Sequence, residues 1–126
     1  MAFSELVGVY DANGGLLGEA AYVWGRLRGT AHCGLCDITH STVRRRAEWD
    51  RMATGLPVPI RLLHLNEMDD HIAGVVAATG APVILGRGDD WRELVTAAEL
   101  DEMAGSVSAL EVVLRQCLAA AEGGDA

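Results

Sequence analysis

The sequence predicts a single α/β domain. Apolar runs of strand length alternate with segments of helical periodicity, in the order strand, helix, cysteine-headed helix, strand, helix, hairpin, helix. The chain has 126 residues, half of them apolar, which is enough to bury a core without metal or disulfide crosslinks. We therefore expect one domain over residues 1–126, with a disordered tail from 121 to 126.

The first half of the chain predicts one strand and two helices. Residues 6–10 are a short apolar run that ends at a glycine-rich turn, which is typical of a buried strand. Apolar residues recur at helical spacing over 16–27, and Gly29 is placed to end that helix. A second helix carries Cys36, His40, Val43 and Ala47 on one face and ends at Gly55.

The second half predicts a strand, a short helix, a hairpin and a long final helix. We expect the strand over residues 60–65 and the short helix up to residue 78, capped by Asp69 or Asp70. The hairpin joins residues 82–85 to 93–96 through a turn at 86–89. The final helix covers 107–118, with Ser108 and Glu111 as its capping box.

Charge and composition exclude several classes of function. The net charge of −8 argues against a nucleic-acid partner. No segment approaches the roughly 18 consecutive apolar residues that a membrane span needs, and the N-terminus lacks a secretory signal, so we expect a cytoplasmic protein without a membrane partner. All ten basic residues are arginine, which excludes Schiff-base chemistry and the lysine of a P-loop.

The segment AHCGLCDITH, residues 31–40, contains the candidate site. It holds Cys33 and Cys36, two of the three cysteines, and His40 follows Cys36 by one helical turn. A thiolate at a helix start is stabilised by unpaired backbone N–H groups, and a second cysteine three residues later can resolve a mixed disulfide. This pattern predicts a redox pair with Cys33 as nucleophile, Cys36 as resolving thiol and His40 as a proton carrier. Cys117 lies in an apolar stripe, where a structural role is expected.

From the cysteines onward the sequence resembles the thioredoxin-like fold family. The resemblance lies in Cys33-Gly34-Leu35-Cys36 at a helix start, in HLNEMDD after a strand, and in TGAPVIL before the hairpin. It implies a central four-stranded mixed sheet flanked by helices, a cis Ala81–Pro82 bond facing the cysteines, and His64 beneath them. It also implies that the helix predicted between Tyr10 and Cys33 is an insertion. The protein would then exchange disulfides with a protein or small-molecule thiol.

A metal site remains the alternative. Cys33, Cys36 and His40 have ligand types and spacing that suit zinc, copper or iron, and His64 would complete a tetrahedral set if it lies where the resemblance implies. A third class, a non-enzymatic interaction module, would not need the cysteines at all.

Overall fold

The described residues form an α/β fold around one four-stranded mixed sheet. The computed structural model describes residues 2–11, 34–39 and 47–123. The strands are β1 (Glu5–Val9), β2 (Ile60–Leu63), β3 (Val83–Arg87) and β4 (Trp91–Val95), and they lie in the order β2-β1-β3-β4. β1 pairs in parallel with β2, whereas the β1–β3 and β3–β4 pairs are antiparallel. The predicted α/β class and four-stranded mixed sheet are confirmed.

Helices flank this sheet on both faces. They are α1 (Gly34–Thr39), α2 (Ala47–Gly55), α3 (Asp70–Thr79), α4 (Ala97–Glu102) and α5 (Val107–Gly123), with a 3-10 helix at Leu65–Glu67. None of the helices in these ranges is both long and apolar enough to cross a membrane.

Alternating side chains of β1 divide the core between the two faces of the sheet. Leu6 and Tyr10 belong to the larger cluster, which includes buried residues of α1, α2, α4 and α5. Val7 and Val9 belong to the smaller cluster, which includes Ile72 and Val76 of α3. Because successive side chains of β1 point to opposite faces of the sheet, α1 and α3 pack on opposite sides of the same strand.

The N-cap of α3 is confirmed, but two other local predictions are wrong. Asp69 accepts a hydrogen bond from the Ile72 backbone N–H at 2.8 Å and so caps α3. The hairpin turn does not begin at residue 86, because β3 continues to Arg87. Ser108 and Glu111 do not cap α5, because the helix begins at Val107 and Ser106 Oγ accepts from the Ala109 N–H at 3.1 Å.

The chain between the hairpin and the last helix contains a helix that the sequence reading lacked. Thr96 and Glu99 form a reciprocal capping box at the start of α4. The predicted strand at 60–65 is present but ends at Leu63, where the 3-10 helix follows. The last helix extends to Gly123. The helix predicted over 16–27 lies outside the described residues, as does the part of the cysteine-headed helix from 40 to 46.

Candidate functional site

The part of the candidate site that the structure describes lies at the carboxyl ends of the parallel strands β1 and β2. Of the four residues predicted from the sequence, Cys33 and His40 lie outside the described residues. Cys36 lies in α1 by its backbone, and its side chain is not among those described. His64 directly follows β2, and Tyr10 directly follows β1. The structure therefore describes α1, Tyr10 and His64, but neither thiol of the cysteine pair.

Helix α1 packs closely over β1. Leu35 and Ile38 are fully buried in the larger core cluster. A Cβ atom added at Gly8 would lie 3.1 Å from Leu35 Cδ2 and 3.0 Å from Leu62 Cδ2, which is tighter than ordinary van der Waals contact. Gly8 therefore gives the leucine of α1 room to lie directly against the strand.

A buried hydroxyl pair joins the end of β1 to the end of α1. Tyr10 Oη and Thr39 Oγ1 are 2.8 Å apart, and either hydroxyl can be the donor. Tyr10 is 2% exposed and Thr39 is fully buried. Buried hydroxyls are costly unless they are hydrogen-bonded, so this pair favours one position of α1 on the sheet.

His64 lies between this pair and a carboxylate. Its ring is tilted by 50° against the Tyr10 ring, with the centroids 5.0 Å apart. Glu67 Oε1 lies 2.7 Å from His64 Nδ1 and also accepts the His64 backbone N–H at 2.7 Å. Because an ionised carboxylate only accepts hydrogen bonds, this geometry assigns a proton to Nδ1.

The ionisation of Glu67 agrees with that assignment. Hydrogen bonds from the backbone and then the side chain of His64 hold the pKa of the Glu67 carboxyl below its ordinary value, because they favour the charged form. The His64 side chain is 23% exposed and that of Glu67 is 47% exposed, so solvent screens the pair. Glu67 is thus a carboxylate at neutral pH.

Pro82 lies at the same end of the sheet. The Ala81–Pro82 peptide bond is cis, as the resemblance implied. Pro82 immediately precedes Val83, which pairs with Val9, the last residue of β1. The position of this bond relative to Cys33 lies outside the described residues.

Three of the four predicted metal-ligand side chains, those of Cys33, Cys36 and His40, lie outside what the structure describes. Within 2–11, 34–39 and 47–123, no three histidine, cysteine, aspartate or glutamate side chains form a metal-binding group. Among the predicted ligands, the structure places the side chain of His64 only, and its Nδ1 contacts Glu67. The four-ligand site therefore stays a prediction.

The third cysteine, Cys117, lies outside the motif. It is a free, partly buried thiol on α5. Burial, and to a smaller extent the charge of Glu99, raises its pKa. A raised thiol pKa lowers the thiolate fraction at neutral pH, which agrees with the structural role expected for this cysteine.

Three residues of this site were missed by sequence reasoning: Tyr10, Thr39 and Glu67. The spacing of Glu67, three residues after His64, was a local signal that could have been recognised. Tyr10 and Thr39 are 29 positions apart, and no local pattern links them.

Comparison with models of known families, with curated proteins and with solved structures finds no match to this chain.

Proposed function

We propose that the chain is a thioredoxin-like thiol–disulfide oxidoreductase that uses Cys33 and Cys36. The main support for the proposal is the position of α1 relative to strand β1. The helix that contains Cys36, and that begins immediately after Cys33, lies over β1 with its last residue bonded to the strand end at Tyr10. The cis Ala81–Pro82 bond precedes β3 at this same end of the sheet. A four-stranded mixed sheet flanked by helices is also what the resemblance implied.

The reaction transfers two electrons from the protein to a substrate disulfide. The Cys33 thiolate attacks one sulfur of the substrate, the substrate S–S bond breaks, and the departing thiolate takes a proton. Cys36 then loses its proton and attacks the Cys33 sulfur, so the mixed disulfide breaks and the second substrate thiol leaves with a proton. The substrate ends as two thiols and the protein as the Cys33–Cys36 disulfide. An external dithiol must reduce that disulfide before another turnover.

The experiment for this proposal traps the mixed disulfide. Cys36→Ser keeps the proposed nucleophile and removes the resolving thiol, so this variant should accumulate an adduct with one half of a small disulfide such as hydroxyethyl disulfide. Cys33→Ser should form no such adduct at comparable rate, and Cys117→Ser should turn over like the wild type. Equal adduct formation by the Cys33→Ser and Cys36→Ser variants would contradict the assigned order of attack.

One observation favours the metal site as a second candidate function. A histidine that binds a metal commonly donates its other ring N–H to a carboxylate, and His64 has this arrangement with Glu67. Zinc, copper or iron would then be held by Cys33, Cys36 and His40, with His64 as a possible fourth ligand. Metal analysis of anaerobically purified wild type beside His40→Ala tests this directly. The metal candidate requires a near-stoichiometric ion that His40→Ala loses.

A further inference from the structure

We draw no further inference here: the strongest candidate, the groove between helix α2 and the edge strand β2, which is lined by Trp49, Ala53, Ile60 and Leu62 among others, carries no proposal, because nothing in the structure shows what covers it.

Discussion

The two ends of strand β1 hold polar groups of opposite character. At the start of the strand, Glu5 lies 3.2 Å from Arg61 Nε and 3.5 Å from Arg87 Nη1, and both arginine side chains are more than half exposed. After its last residue, Tyr10 is bonded to Thr39 in the core. Exposed ion pairs are screened by water and contribute little, whereas buried hydroxyls must keep their partners. Substitutions of the polar groups at the start of β1 should therefore cost little stability. Substitutions at its end, where Tyr10 is bonded to α1, should cost more.

The largest effect is expected at Gly8, under α1. Gly8→Ala should lower the free energy of unfolding by about 1 to 3 kcal/mol, because the new Cβ crowds Leu35 and Leu62. Gly74→Ala is the control: its Cβ would meet nothing within 4 Å, and alanine favours helix α3 by up to about 1 kcal/mol. Urea unfolding of both variants measures these changes in stability. A Gly8→Ala variant as stable as the wild type would show that α1 can shift to accommodate the added methyl group.

The next effect compares the two ends of β1 directly. Tyr10→Phe removes the hydroxyl that bonds to Thr39 and should cost about 1 to 2 kcal/mol. Glu5→Gln removes the exposed ion pairs and should cost about 0.5 kcal/mol or less. Thermal or urea unfolding of the two variants measures both values. A larger loss of unfolding free energy for Glu5→Gln than for Tyr10→Phe would contradict this comparison of the two strand ends.

A smaller effect depends on pH. Because His64 lowers the pKa of Glu67 in the folded state, the carboxylate stabilises the fold above its unfolded value of 4.5, and that stabilisation is lost as pH falls through the lower folded pKa. After screening at this exposed site we expect about 0.5 kcal/mol or less. The stability difference between wild type and Glu67→Gln should thus be present at pH 7 and shrink as the pH falls below 4.5. A stability difference between the two proteins that increases as the pH falls would contradict this prediction.

The smallest effect is expected at Cys117. Its raised pKa predicts slow alkylation at neutral pH, and Cys117→Ser should leave disulfide exchange unchanged. Rates of thiol labelling, followed cysteine by cysteine with mass spectrometry, measure this. Labelling of Cys117 before Cys33 would contradict the account.

Local signals explain which parts of the fold the sequence predicts. The strand before Tyr10, the Asp69 cap and the hairpin after Pro82 each depend on neighbouring residues, and each is present. Helix α4 has a local signal as well, the Thr96–Glu99 capping box, but it is only six residues long and follows β4 almost directly. Short helices in such places are easily read as part of the hairpin.

The candidate site depends on contacts that no local pattern contains. Helical spacing groups Cys36 with His40, and a strand end is recognisable at Tyr10. The contact of Tyr10 with both Thr39 and His64 arises only when β1, β2 and α1 assemble. Parallel pairing of β1 with β2 brings those two strand ends together, and that pairing joins segments about fifty residues apart.

The most direct test of the central claim is an anaerobic redox titration with mass mapping. Metal-free protein is equilibrated in glutathione buffers of increasing oxidation, quenched with an alkylating reagent and digested. The account predicts reversible loss of two thiols, located to a disulfide between Cys33 and Cys36, with Cys117 still alkylated and the fold retained. Cysteines that stay reduced throughout the series would contradict it, and a stoichiometric metal in the protein as first isolated would favour the metal site instead.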